Sequence, residues 1–460
     1  MAGMGRRRFL NLMASAAAGA ATGCATRGEA QSAPRPNIVV IVSDDHRYDA
    51  LHCMGNSIIQ TPNLDALAGQ GMLFRNNFCT TAICCTSRAS ILTGMYARRH
   101  GITEFNQDLS PDMLALSYPL RLRHAGYRTA FVGKYGVGVK LPEDAFDYWR
   151  GFPGQGVYFY PENERQVHSS DLLAEQSIEF LKTCGPGQPF CLSLSFKSPH
   201  ALDYDQRPFP PASRFENLYQ DVSIPSPKTA TERHYEALPA FLKKSEGRKR
   251  WEHCFSTPER FQQNVKDYYR LITGMDDAIG QVRRAVADLG CAENTIILFT
   301  GDNGYFLGDR GLEGKWYAYE ESIRTPLILF DPRAGARKPC ETMTLNIDVA
   351  PTVLDAAGVG VPPRMQGRSL LPLLHGRASA WREDWFYEHH FKHPGIPRSE
   401  GVRTARWSYI RWIDSAPLLE ELYDLRQDPL EEHNLAAEAG CAERLEELRG
   451  RWQRYGVSLA

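Results

Sequence analysis

The chain has 460 residues, enough to bury a large core and to divide into one large and one smaller domain. Its 53 basic and 54 acidic residues nearly cancel, and no basic block marks a nucleic-acid surface, so any positive potential has to be local. Beyond the N-terminal stretch no apolar run is long enough for a membrane span.

The N-terminal stretch reads as an address rather than as fold. Arg6-Arg7-Arg8-Phe9-Leu10 precedes an Ala-rich apolar run, Leu12 to Ala21, too short for a stable anchor. The pattern resembles a twin-arginine export signal, so residues 1–33 are expected to direct export, to the periplasm or the outer membrane. Cys24, in Thr22-Gly23-Cys24, is a candidate lipid attachment site, with cleavage near Ala30 as the competing outcome. The cysteine count, eleven, is odd, and the absence of CxxC pairs or His–Cys clusters argues against zinc.

Asn37-Ile38-Val39-Val40-Ile41-Val42 is a continuous β-branched run of the kind buried on both faces of a parallel sheet. At Cys84 an apolar helical run begins, with Arg88 one turn on. Weaker strands are expected at Thr129–Val132, Phe190–Phe196 and Pro326–Phe330, and a second strong one at Thr295–Phe299. A helix capped by Ser170-Asp171 is expected to run through Leu172, Leu173, Ile178 and Leu181. A longer one carries Tyr269, Ile272, Ile279, Val282, Val286 and Leu289, and stops at Gly290. Between them, residues 203–259 are rich in Pro, Lys, Arg and Glu and read as a long surface insertion. After residue 376 the texture changes. Trp385-Phe386-Tyr387, Trp407–Ile410 and Leu422-Tyr423 read as short antiparallel strands, followed by a helix through Leu445 and Trp452. The expected architecture is α/β, a mostly parallel central sheet flanked by helices over residues 34–376, with a smaller α+β subdomain over 377–460.

Ligands of open α/β sheets bind outside the carboxyl ends of the strands. Asp44-Asp45 and Asp302-Asn303 stand just past the two strongest strands. Converging carboxylates would repel one another without a cation, and hard oxygen donors favour Ca²⁺ or Mg²⁺ over zinc. Cys84 at a helix start, with Arg88 four residues on, describes an anion site bearing a reactive side chain. A pair of buried core cysteines explains the same spacing equally well.

The segments Asn37–Asp49, Cys84–Gly94, Gly133-Lys134, Ser198-Pro199-His200 and above all Gly301–Lys315 running into Tyr319–Pro326 resemble the type I sulfatases of the alkaline-phosphatase-like superfamily. The resemblance covers nearly all of the mature chain. It implies that a maturation enzyme oxidises Cys84 to formylglycine (3-oxoalanine), whose hydrate attacks the sulfur of a sulfate ester. It implies Ca²⁺, with Mg²⁺ as the lesser choice, on Asp44, Asp45, Cys84, Asp302 and Asn303. Arg88, Lys134 and Lys315 would hold the nucleophile and the sulfate oxygens, and His200 would protonate the leaving alcohol. The substrate implied is a sulfated carbohydrate. A phosphonate monoester or phosphodiester hydrolase, or an unmodified chain that only binds sulfated glycans, are the alternatives.

Two positions depart from the family pattern. Thr86 stands where the modification motif carries Pro or Ala, and Gly136 stands where a histidine usually contacts the formylglycine. His46 and Tyr135 are candidates for that role. His389, His390 and Arg403, near Glu388 in the C-terminal part, are candidate substrate contacts. His100 reads as structural, and Asp309-Arg310 receives no role.

Overall fold

Strand β1, Asn37–Ser43, is buried along its whole length, and successive side chains leave it for opposite faces. Ile38, Val40 and Val42 enter one apolar core. Val39 and Ile41 enter another. Two covered faces remove any need for polar residues in alternation, which is why β1 reads as an unbroken β-branched run.

The computed structural model describes residues 35–459 apart from 163, 164, 186 and 379. The expected export signal and Cys24 lie outside the described residues. Arg35–Ala460 form one compact unit. No helix among the described residues is long and apolar enough to cross a membrane.

The central sheet is mixed. After β1 its strands are β2 (Met72–Phe78), β3 (Arg128–Lys134), β4 (Tyr148–Phe152), β5 (Phe190–Ser195), β6 (Thr295–Gly301), β7 (Arg324–Phe330) and β8 (Thr344–Leu345). Their spatial order is β8-β2-β7-β6-β1-β5-β3-β4. Only β7 opposes its neighbours, β2 and β6; the remaining pairs are parallel. The expected mostly parallel α/β sheet is thus found, with one reversed strand.

Four longer helices matter for the site. Helix α1, Cys84–Thr93, starts at the expected cysteine and ends on Gly94 in the left-handed conformation. Helix α2, Ser169–Lys182, is capped two positions before Ser170: His168 accepts the Ser170 N–H through Nδ1 at 3.3 Å. Ser170 lies within the helix and shares its hydroxyl with Ser198 Oγ at 3.1 Å, so it is not available as the cap. Helix α3, Pro258–Asp288, is capped by Thr257 and lays Tyr268, Ile272, Met275 and Ile279 into the second core. Residues 203–259 include two short helices, Glu232–Ala237 and Glu246–Cys254. Their charges are largely paired, as in Arg207 with Glu216 and Asp267, and Arg250 with Asp203 and Glu246.

The C-terminal antiparallel sheet runs β9 (Asp384–His389), β10 (Ser399–Thr404), β11 (Trp407–Trp412), β12 (Leu419–Asp424). Helix α4, Ala442–Ser458, packs on it through Trp452, which donates to Glu400 at 2.7 Å, and Tyr455, which donates to Asp384 at 2.6 Å.

Leu298 on β6 is buried between the strands that carry the site. Leu298→Ala should cost about 2–5 kcal/mol of stability, the range for emptying a core site. Urea denaturation measures this, and a midpoint equal to wild type would contradict the central position of β6.

Candidate active site

The carboxyl ends of β1 and β6 lie side by side, Val42 opposite Thr300 and Ser43 opposite Gly301. Asp44-Asp45 and Asp302-Asn303 therefore leave the sheet together. Two backbone bonds pin the loops, Asp302 N–H to Ser43 O at 3.0 Å and Asp44 N–H to Ser198 O at 3.1 Å. Lys134 ends β3, and residues 197–200 follow β5. A two-stranded ribbon, Phe306–Leu307 with Glu313–Gly314, brings Lys315 back to the same edge.

Cys84 donates its thiol to Asp44 Oδ1 at 3.3 Å. Cys85 turns the other way into the apolar core, its sulfur 3.8 Å from Thr86 Oγ1. Burial, then the Asp44 charge, push the Cys84 thiol well above its ordinary pKa, so it stands protonated.

Each buried carboxylate meets its own cation. Lys134 Nζ pairs with Asp44 Oδ2. Lys315 Nζ lies 2.7 Å from Asp45 Oδ2, and Arg88 Nε lies 2.9 Å from Asp302 Oδ2. Side-chain cations thus offset part of the mutual repulsion of the carboxylates. Arg88 faces Asp302 and, at 3.6 Å, Asp44.

A cation site is supported on other grounds. The donor atoms of Asp44, Asp45, Cys84 and His200 lie within 4.8 Å of one another. Asp302 Oδ1 accepts the N–H groups of Asp45 and Asn303, at 3.1 and 2.8 Å. Asn303 donates its amide to Asp45 Oδ1 at 2.7 Å. That leaves Asn303 Oδ1 buried without a partner, beside three carboxylates. An orphaned carbonyl oxygen in such company suits a hard divalent cation, Ca²⁺ or Mg²⁺. Burial, then Asp44, raise the Asp302 pKa to about 7, while Asp44, for all its burial, is held low chiefly by Lys134.

His200 donates from Nδ1 to Ala201 O at 2.6 Å, which leaves Nε2 facing Asp45 Oδ2 at 3.5 Å. Burial, then Lys315, lower its pKa well below the ordinary value.

Gly136 is accounted for by steric contact. It has φ of +70°, and a Cβ there would lie 2.6 Å from Arg88 Cδ. The room a histidine would need is taken by the arginine stem. The two candidate substitutes have contacts of their own. His46 is spent on Ser43 Oγ at 3.0 Å and Ala50 O at 3.1 Å. Tyr135 packs edge-on against Phe131 and Trp149.

Two neighbours carried no sequence signal. Gln155, in a Gly-rich loop after β4, accepts from Lys134 Nζ at 2.6 Å. Lys197 is fully buried, its Nζ has no hydrogen-bond partner, and it lies 5.0 Å from the Tyr158 ring centroid. Desolvating an ammonium costs several kcal/mol, and a desolvated ring face returns about 2. Burial, then Lys134, lower its pKa to about 8.

Among the C-terminal candidates, Arg403 is paired with Glu320 at 2.9 Å and His390 with Glu400 at 3.1 Å. His389 is buried with both ring nitrogens unpartnered. His100 is held by Ser90 Oγ at 3.0 Å and the Ile102 N–H at 3.1 Å, a structural role. Asp309 is paired with Arg47, while Arg310 lies 4.6 Å from the Tyr319 ring centroid and donates to the Glu431 carbonyl.

Comparison with known proteins gives one family. The Sulfatase family model matches residues 36–359, and the N-sulphoglucosamine sulphohydrolase C-terminal model matches 308–456. An N-acetylglucosamine-6-O-sulfatase of Bacteroides thetaiotaomicron is 30% identical over 487 aligned residues, covering 90% of this chain and 85% of that protein. A solved complex with D-glucosamine-2-N,6-O-disulfate, named as its substrate, superposes with a TM-score of 0.82 at 27% identity, over 92% of this chain and 98% of that one. The phosphonate monoester hydrolase of Silicibacter pomeroyi shares the fold, with a TM-score of 0.79 at 24% identity over 93% and 96%.

Gly136→Ala should destabilise the fold by about 1–3 kcal/mol, because it adds a left-handed non-glycine residue and a collision with Arg88. Thermal and urea unfolding measure it. Wild-type stability in both would remove the steric account.

Proposed function

Given that this chain belongs to the sulfatase family and is a sulfuric ester hydrolase, we propose that it removes the 6-O-sulfate of glucosamine units in a sulfated glycan, with Cys84 converted to 3-oxoalanine and Ca²⁺ at Asp44, Asp45, Asp302 and Asn303. The observation that carries this reading is the convergence of Cys84, three carboxylates, Arg88, Lys134, Lys315 and His200 on one buried sheet edge. The sugar follows the relatives, one named for the 6-O-sulfate of N-acetylglucosamine and one solved with a disulfated glucosamine.

A hydrated 3-oxoalanine supplies one hydroxyl to take the sulfuryl group and a second to release it, and a bound divalent cation lowers the pKa of the attacking oxygen. The rest is the work of the chain's own side chains. Lys134 and Lys315 hold sulfate oxygens where charge builds in the transition state. Gln155 and Asp44 hold Lys134, and Asp45 holds Lys315. Arg88 anchors Asp302 and bonds the Lys134 carbonyl at 2.9 Å, which fixes the end of β3 against α1. Nε2 of His200 is the atom from which a proton passes to the leaving alcohol oxygen. An anionic ester arriving beside it favours the protonated ring.

All of Cys84–Thr93 is buried, so conversion of Cys84 by a maturation enzyme precedes folding. Export through residues 1–33, with Cys24 as a candidate lipid attachment, belongs to the same reading.

The protein should be produced in a host able to make formylglycine. The Cys84 peptide is expected to carry the aldehyde in mass spectra, and kcat/KM on N-acetylglucosamine-6-sulfate is expected to exceed that on an aryl phosphonate by orders of magnitude. An intact thiol with no sulfate release, or a preference for the phosphonate, would sink the proposal.

His200→Ala should lower kcat by about 10²–10⁴-fold on a sugar sulfate, whose leaving alcohol needs the proton. On an aryl sulfate with a good leaving group the loss should be far smaller. Equal losses on the two esters would remove His200 as the acid.

A further inference from the structure

Lys197 stands three residues before His200, entirely buried. Its carbonyl accepts the His200 N–H at 2.9 Å, so both side chains spring from one turn. The intervening Ser198 carbonyl accepts the Asp44 N–H at 3.1 Å, which ties that turn to the carboxylates. On its flank lies Tyr158, held in place by its own hydroxyl donating to His200 O at 2.6 Å.

The charges at this edge single Lys197 out. Asp44, Asp45 and Asp302 are matched by Lys134, Lys315 and Arg88, one cation to each carboxylate. Lys197 is the surplus. Among the described residues it is the one buried lysine whose ammonium has no hydrogen-bond partner. The charges of Asp44, Asp45 and Asp203 reach it through space, yet none of these carboxylates bonds it. A ring face at 5.0 Å takes no N–H hydrogen bond of ordinary strength, and it offsets part of the desolvation only. Three N–H donors therefore stay unused, close enough to Lys134, Asp44 and Asp45 to feel their charges.

We propose that Lys197 is a substrate-binding residue whose ammonium donates to an oxygen of the bound sulfate ester, completing with Lys134 and Lys315 a three-lysine cradle. This rests on the sulfatase reading of the site. A residue of this kind is kept at the expense of stability, since a buried unpaired charge burdens the fold until the anion arrives. The competing role is purely structural, a cation stacked on Tyr158. The two roles differ in sign: removing a structural cation lowers stability, and removing a surplus one does not.

The test uses the mature protein with Cys84 converted, as wild type, Lys197→Met and Lys197→Arg. Inorganic sulfate is the probe, titrated by calorimetry so that binding is read apart from turnover. Lys197→Met is expected to weaken sulfate binding roughly ten- to a hundredfold, the range for one charged hydrogen bond. Its kcat/KM on an aryl sulfate should fall at least as far, while its unfolding midpoint stays level or rises. Lys197→Arg, which keeps the charge, should recover part of the affinity. Wild-type sulfate affinity in Lys197→Met would overturn the proposal, as would a fallen midpoint with activity intact. Should Lys197→Met not fold, Lys197→Gln takes its place, and wild-type sulfate affinity in that variant would overturn the proposal. A wild type that binds sulfate but hydrolyses no sulfate ester would strike the sulfatase reading instead, and the Lys197 affinities would still stand or fall on their own.

Discussion

Three carboxylates, Asp44, Asp45 and Asp302, sit fully buried at one edge of the sheet, and the fold around them follows from what they require. An unpaired charge in such a place costs several kcal/mol, so three would consume most of the roughly 5–15 kcal/mol by which a domain is stable. Each is met by a cation from a different part of the chain: Arg88 from α1, Lys134 from the end of β3, Lys315 from the loop after the short ribbon. These pairings span up to 270 residues of sequence, from Asp45 to Lys315. They knit the helix start, two strand ends and a long loop into one rigid floor.

Arg88 illustrates how tightly that floor is drawn. Its guanidinium reaches Asp302 and the Lys134 carbonyl, and Ser195 on β5 donates to that same carbonyl at 2.7 Å. The stem of the arginine passes so close to residue 136 that only glycine fits there. Loss of the family's usual histidine is thus coupled to the position of Arg88. His46 does not fill the vacancy, since it is spent on Ser43 and Ala50.

How much of this was legible in the sequence depended on whether the signal was local. β1, β6 and α3 announce themselves through continuous or 3.6-residue apolar patterns, and Asp44-Asp45 and Asp302-Asn303 are placed by the strands they follow. β10 carries no such pattern. Ser399-Glu-Gly-Val-Arg-Thr404 becomes a strand because β9 and β11 flank it and supply its ladder bonds. The His168 cap was hidden because Ser170, the better cap by type, has a partner 28 residues away. Gln155 and Lys197 escaped for the same reason. Their meaning lies in what they approach across the fold, and no spacing encodes it.

The C-terminal sheet was expected to supply substrate contacts, yet its clearest link to the site is mechanical. Asp45 and Trp316, the residue after Lys315, both hold positive φ without being glycine, at 58° and 82°. Such conformations persist only where surroundings enforce them. Each of these residues has its carbonyl clamped by a tyrosine hydroxyl at 2.7 Å, Asp45 by Tyr268 of α3 and Trp316 by Tyr387 of β9. The next residue of β9, Glu388, also donates its N–H to Thr80 O at 3.0 Å, on the segment leading to Cys84. So β9 braces both the segment after Lys315 and the segment leading to Cys84, while α3 braces Asp45. The Lys315–Asp45 pair is the point where the two braces meet, and the strained backbone on both sides of it is held by a tyrosine from a different element.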